Sequence, residues 1–173
     1  MKVICISAKA RSGKDASATI LKEIFEARGQ RVLITHFADL VKHVCKAFFN
    51  WNGEKDGAGR TLLQYVGTDK ISSRQPDFWV NFIVDILKFF EGEWDIVLIP
   101  DCRYPAEAEV MKASFDTTLL RIERPGFING LSAVQQAHPS EIALDNYTYD
   151  ATIINNGTLD DLAVKLHEFA DSI

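Results

Sequence analysis

The chain has little cysteine, no excess of positive charge and no long apolar run, and each shortage removes a class of protein. The cysteines stand at 5, 45 and 102, odd in number and far apart. Neither a disulfide framework nor a thiolate metal site is expected from that spacing, and they read as free thiols of a reduced, cytoplasmic protein, with Cys5 in a core strand. Lysine and arginine total 19 against 24 aspartates and glutamates, a net charge of −5. That balance argues against a general binder of nucleic-acid polymers, while leaving room for a small anion held by a few aimed arginines. The most apolar helical pattern, 78–90, is broken by Asn81, Asp85 and Lys88 and is too short to span a bilayer, so no membrane partner is expected. Met1-Lys2 leads straight into an apolar strand without a signal-peptide pattern. Repeats and low-complexity tracts are also missing.

What is present is a 173-residue chain, 47% hydrophobic, which is the size and composition of a single domain with a substantial core. Apolar runs alternate with helical patterns, implying an α/β fold on a parallel sheet. Strands are expected at 2–7, 31–36, 95–99, 117–122 and 151–154. Helical patterns fall near 16–25, 39–48, 60–66, 78–90, 105–113 and from the Thr158 cap to about 171. The polar, glycine-rich stretch 51–59 reads as a loop, and 125–140 as a mobile loop or lid.

Residues 8–15 read Ala-Lys-Ala-Arg-Ser-Gly-Lys-Asp, between the first strand and the first helix. The phosphate-loop pattern G-x-x-x-x-G-K-[ST] belongs in that context. Gly13 and Lys14 fit it. Ala8 stands where the first glycine is expected, and Asp15 where a hydroxyl residue is expected. In such a loop successive N–H groups of Ala10, Arg11, Ser12, Gly13, Lys14, Asp15 and Ala16 face phosphate oxygens at a positive helix terminus. The competing reading is a Gly-Lys turn that only caps a helix. For Asp15 two roles stand open: a hard oxygen ligand for Mg²⁺, or a carboxylate that complements the helix N-terminus.

Further along, Asp101 and Arg103 follow the third strand. A strand-end aspartate suits contact with a nucleotide-bound metal, and an arginine two residues on can clamp an acceptor phosphate. Arg124 at the entrance to 125–140 is placed to neutralise charge on a transferring phosphoryl group. Arg121 frames the same segment and could serve in that way too, but it alternates with apolar residues in a strand and reads equally as a solvated position, so Arg124 is the stronger candidate. Asp39 is a natural helix cap, and Lys42 follows on the first turns. Arg60, Gln64, Asp69 and Arg74 offer polar groups for a base or a phosphate, or merely a solvated face. His138 and Glu141 lack a third ligand for a metal. Asn155, Asn156 and Gly157 border an adenine or form a plain turn. A phosphate acceptor is already an anionic nucleophile, so no general base is required, and catalysis would rest on positioning and charge neutralisation.

Taken together, Lys9-Ala-Arg-Ser-Gly-Lys-Asp15, Leu62-Leu-Gln-Tyr-Val-Gly-Thr-Asp69, Asp77-Phe-Trp-Val80, Ile99-Pro-Asp-Cys-Arg103, Arg124-Pro-Gly126, His138-Pro-Ser-Glu141 and Ile154-Asn-Asn-Gly-Thr-Leu159 resemble the phage-type deoxynucleoside monophosphate kinases. The resemblance spans nearly the whole chain. It implies a three-layer P-loop NTPase fold of nucleoside-kinase type, a five-stranded parallel sheet flanked by helices in one domain. Residues 37–92 would bind the acceptor and 124–145 would form a lid. It implies ATP as donor, Mg²⁺ held at Asp15 and Asp101, and a nucleoside monophosphate as acceptor, with a homodimer left open. Lys14, Asp101, Arg103 and Arg124 would be catalytic. Lys42, Arg60, Gln64, Asp69, Arg74, Arg103 and Glu141 would meet the acceptor, and Asn156 and Gly157 the adenine. Animal-type phosphomevalonate kinase is similar in the same places, and a nucleotide-binding module without turnover is the remaining alternative.

Overall fold

The computed structural model describes residues 1–173. Five parallel strands form one sheet: β1 (Lys2–Ala8), β2 (Val32–Ile34), β3 (Ile96–Ile99), β4 (Asp116–Glu123) and β5 (Ala151–Ile154), in the order β2-β3-β1-β4-β5. β1 is central because Val3 to Ile6 bury both faces completely, as an apolar run in a parallel sheet should. Its register places Cys5 between Ile99 and Leu119, and Ser7 beside Arg121.

Alternation divides the core in two. Ile4, Ile6, Leu120 and Ile122 face α1 (Lys14–Ala27) and the closing helix Leu159–Asp171, through Leu21, Phe25, Leu162 and Leu166. Val3, Cys5, Val97, Ile99 and Leu119 face the helices Phe78–Phe89 and Pro105–Ser114, through Val80, Val84, Leu87 and Met111. A third cluster, Val41, Cys45, Val66 and Trp79, stands apart from the sheet. It gathers α2 (Ala38–Phe49), α3 (Gly57–Gln64), a π-helical segment at Tyr65–Ser72 and α4 (Phe78–Phe89) into a helical subregion.

Several boundaries differ from the sequence expectation, each for a local reason. α3 begins inside the glycine-rich stretch because the Asp56 carboxylate accepts from the Gly59 N–H at 2.7 Å. The expected α-helix through Val66 widens into the π-helical segment, where the Gly67 carbonyl accepts from Ser72 Oγ and Trp79 Nε1; such widened turns recur at functional sites. Asp39 does not cap α2: its carboxylate accepts from the His36 N–H at 3.0 Å instead. Beyond α5 (Pro105–Ser114), the stretch read as a loop contains α6 (Ala133–Gln136) and α7 (Pro139–Ile142). Ser132 caps the first and the His138 ring the second. α8 (Leu159–Asp171) starts at the Thr158 cap, as expected. All three cysteines are buried free thiols, and no helix is long and apolar enough to cross a membrane.

Candidate active site

The carboxyl ends of the central strands carry the site, at the point where β1 has its neighbours on opposite sides. Leaving β1, the backbone turns through the left-handed region at Arg11 (φ 61°) and Gly13 (φ 105°). Alternating hands aim successive amides into one concavity, the arrangement called a nest. The N–H groups of Arg11, Gly13, Lys14, Asp15 and Ala16 have no acceptor within the chain. The intervening Ser12 amide is satisfied by the Lys9 carbonyl, and the loop is braced from the far side by Asn155 Nδ2 donating to Ser12 O at 3.0 Å. A Cβ on Gly13 would lie 2.7 Å from that amide nitrogen, so both space and conformation require glycine there.

Ala10 corrects the expected cradle, because its N–H donates to Glu141 Oε2 at 3.0 Å. The free amides therefore begin at Arg11. Ala8 lies within β1, paired with Ile122 and packed on the core, and the left-handed turns fall later.

Around the cradle stand the charged groups. Lys14 Nζ contacts Asp15 at 2.6 Å, and Asp15 in turn lies 4.0 Å from His36 Nε2. Lys42 pairs with Asp39 at 2.8 Å. Burial pushes the Asp39 carboxyl up, but the Lys42 hydrogen bond and the charge of His36 outweigh it, leaving the group below the usual carboxylate range. Asp101 is buried, and its two oxygens accept from the N–H groups of Phe37 and Ala38 at 2.9 and 3.1 Å. It is therefore the acceptor that caps α2 from another strand, a role its strand-end position did not announce.

Arg103 reaches the phosphate loop through one carboxylate. Its Nη1 donates to Glu141 Oε1 at 2.8 Å while the other oxygen holds Ala10. The Arg103 and Tyr104 amides both donate to Glu107 Oε2. Burial, with the neighbouring charge of Asp101, pushes the Glu107 carboxyl up to about 8, against the opposing pull of those amides. Lys55 was not expected at all. Burial and then the like charges of Lys42, Lys14 and Arg103 hold its ammonium below the ordinary lysine value. Four cations gathered at one place, Lys14, Lys42, Lys55 and Arg103, offer a seat for an anion. The only sequence cue was a lysine in a glycine-rich loop.

Arg121 is buried rather than solvated, at 7% exposure. Its guanidinium donates to Ser7 Oγ at 3.0 Å, approaches Asp145 at 3.5 Å and stacks 5.4 Å from the Tyr149 ring centre. Asp145 also holds Lys9 at 2.5 Å, so α7 and the residues after it are pinned against the start of the phosphate loop. A cavity of about 450 Å³ beside the loop is lined by Lys9, Ser12, Arg121, Arg124, Phe127 and Glu141, among others. Arg124 lies over the Phe127 ring, 4.1 Å from its centre.

Other expected residues lie less centrally. Arg60 is exposed and donates to the Lys55 carbonyl. Gln64 and Arg74 are exposed, and no side-chain hydrogen bond or ion pair ties either to the cradle. Asp69 is exposed on the π-helical segment, close enough to influence Tyr104. Asn156 is exposed and accepts from Lys165, and Gly157 is exposed beside it; the asparagine that meets the phosphate loop is its neighbour Asn155.

No cluster of three or more His, Cys, Asp or Glu side chains could hold a metal. Asp15 is exposed at the helix start and Asp101 already accepts one bond on each oxygen. Such a donor set fits Mg²⁺ bound through a protein carboxylate while substrate phosphates and water complete its shell.

Comparisons place this arrangement. A family model described as deoxynucleotide monophosphate kinase matches residues 29–166; the phosphate loop precedes that range and stands on its own geometry. The deoxynucleotide monophosphate kinase of Enterobacteria phage T4 is 30% identical over 117 residues, 66% of this chain, and the match covers 46% of that protein's length. The uncharacterized protein ORF76 of Ictalurid herpesvirus 1 (strain Auburn) is 27% identical over 174 residues, covering 99% of this chain and 68% of its own. Among solved structures, the APS kinase of Mycobacterium tuberculosis in complex with AMPPNP and APS superposes with a TM-score of 0.59 at 12% identity, covering 98% of this chain and 97% of that one. The shikimate kinase of Acinetobacter baumannii in complex with shikimate gives 0.52 at 15% identity, covering 99% and 93%. The structures establish the P-loop kinase fold, and the match over most of the sequence establishes that the chain belongs to the deoxynucleotide monophosphate kinase family.

Proposed function

We propose that this protein transfers the γ-phosphoryl group of ATP to a deoxynucleoside monophosphate, forming the diphosphate. The observation that carries the reading is the set of unpaired amides at Arg11 and at Gly13 to Ala16, with the Lys14 ammonium among them and Arg103 one carboxylate away. The nest and Lys14 would hold the triphosphate of the donor. Arg103, Lys42 and Lys55 would hold the acceptor phosphate, drawing its oxygen toward the γ-phosphorus. Residues 37–92, built on their own apolar cluster, would bind the nucleoside. Residues 124–145 would act as the lid, with Arg124 leaving the Phe127 ring to meet the phosphoryl group. Asn155 braces the loop, and Asn156 and Gly157 would border the adenine.

Mg²⁺ would be held by Asp15, with Asp101 behind it, and would neutralise phosphate charge. The chain's own contribution is positioning and electrostatics: fixed dipoles and cations aimed where charge gathers, with no proton-abstracting base needed because the acceptor phosphate is ionised.

Coupled ADP-release assays over a panel of ribo- and deoxynucleoside monophosphates, with phosphomevalonate as a further arm, test the reading. Turnover of a deoxynucleoside monophosphate is expected. Lys14→Ala should lose most of the rate with little change in melting temperature, because Lys14 contacts only exposed Asp15. Arg103→Ala should raise the acceptor KM and lower kcat. Folded, ATP-binding protein that turns over no nucleotide, or that prefers phosphomevalonate, overturns it.

A further inference from the structure

Tyr104 stands between the two halves of the proposed acceptor site, and the kinase reading leaves it without a role. Its N–H is held by Glu107 Oε2 at 3.0 Å, beside the Arg103 N–H held by the same oxygen at 2.7 Å. One anchored turn thus sends out two side chains. The Arg103 guanidinium goes toward α7 and the phosphate loop. The Tyr104 ring lies toward Thr68 and Asp69 on the π-helical segment.

The Tyr104 hydroxyl is buried and has no hydrogen-bond partner in the chain. Thr68 reaches toward it as a weak hydrogen-bonding neighbour that opposes the burial holding the phenol above its usual value, but the contact falls short of full hydrogen-bond geometry. A buried hydroxyl left unpaired is unfavourable, and a phenylalanine would fill the same space without that penalty. The hydroxyl therefore earns its place only if a partner arrives with the ligand. Arg103 directly precedes Tyr104 and its charge acts on the phenol, so a ligand received by the guanidinium comes up beside the ring.

We propose that the Tyr104 hydroxyl is a specificity-determining contact, hydrogen-bonding a sugar hydroxyl or base carbonyl of the nucleoside monophosphate whose phosphate Arg103 receives. The inference rests on the nucleotide-kinase reading and deepens it. A site built to pair a substrate's polar group discriminates strongly against analogues that lack it.

Tyr104→Phe tests this with three readouts. Without substrate, the variant should melt at the same temperature as wild type or higher, since it loses only an unpaired hydroxyl. With the preferred acceptor, kcat/KM should fall roughly ten- to hundred-fold, mostly through KM, while the ATP KM stays put. A set of 2′,3′-dideoxy and base-varied monophosphates then separates the two sources. If the sugar hydroxyl is the partner, the penalty for dideoxy substrates seen in wild type disappears in the variant. If a base carbonyl is the partner, the ranking of bases collapses instead. A melting temperature several degrees lower without substrate would reveal a structural partner and overturn the proposal. So would an active wild type whose Tyr104→Phe variant matches it within twofold on every acceptor. Wild-type protein inactive on every nucleotide would overturn the kinase reading itself and this inference with it.

Discussion

Glu141 joins the donor cradle to the acceptor arginine, and its removal has a calculable cost. One carboxylate oxygen accepts the Ala10 N–H at 3.0 Å, the other the Arg103 guanidinium at 2.8 Å, and the side chain is only 9% exposed. Glu141→Ala strands a partly buried amide, which costs about 1–3 kcal/mol. The ion pair adds less, on the order of 0.5 kcal/mol, because the Arg103 side chain is 35% exposed and water replaces part of the interaction. A total of about 1.5–3.5 kcal/mol should lower the melting temperature by roughly 3–14 °C for a domain of this size. Glu141→Gln keeps an acceptor for Ala10 but turns an amide toward Arg103, so it should lose about half as much. Scanning calorimetry of both variants, alone and with Arg103→Ala, gives the coupling between the two groups, expected at about 0.5–3 kcal/mol for side chains in direct contact. The kinetic counterpart is a raised acceptor KM, because Arg103 loses its anchor. A Glu141→Ala protein that melts within a degree of wild type with an unchanged acceptor KM would show that the bridge holds nothing together.

Other consequences are equally open to measurement. Gly13→Ala places a methyl 2.7 Å from Asn155 Nδ2 at a φ of 105°, and equilibrium titration should show ATP affinity reduced at least tenfold. Glu107 carries a proton in the folded state up to about pH 8, against an ordinary value of 4.5. The folded form therefore holds a proton that the unfolded chain releases, and stability should fall as pH rises from about 4.5 to 8, then level off. Glu107→Gln does not ionise and can still accept from the two amides, so its melting temperature should lose that slope; a wild-type profile matching the variant's would contradict the assignment. Asp101→Asn replaces one of two accepting oxygens with a donor facing a main-chain N–H, and denaturant unfolding should register a loss of about 2 kcal/mol.

The local parts of this molecule were legible and the long-range parts were not. A strand, a Gly-Lys turn and a helix follow one another within 27 residues, so the phosphate loop could be read from spacing alone. Thr158 announced the last helix because capping acts over three residues. Glu141 meets Ala10 across 131 positions, and Asp101 meets Phe37 across 64; no periodicity encodes such meetings. Arg121 misled for a related reason. A charged residue in an alternating strand usually faces water, and here Ser7, Asp145 and Tyr149 cover it. Nothing in an Asn-Asn-Gly turn says which side chain points inward, and here Asn155 is the one that reaches the phosphate loop.

The claim beneath all of this is that the unpaired main-chain donors after β1 exist to hold phosphate oxygens. Amide-resolved NMR of the protein with a non-hydrolysable ATP analogue and Mg²⁺ addresses it directly. The account predicts large shifts for the N–H signals of Arg11, Gly13, Lys14, Asp15 and Ala16, and little movement at Ala10, whose hydrogen Glu141 already holds. Signals that stay in place at saturating nucleotide would contradict it.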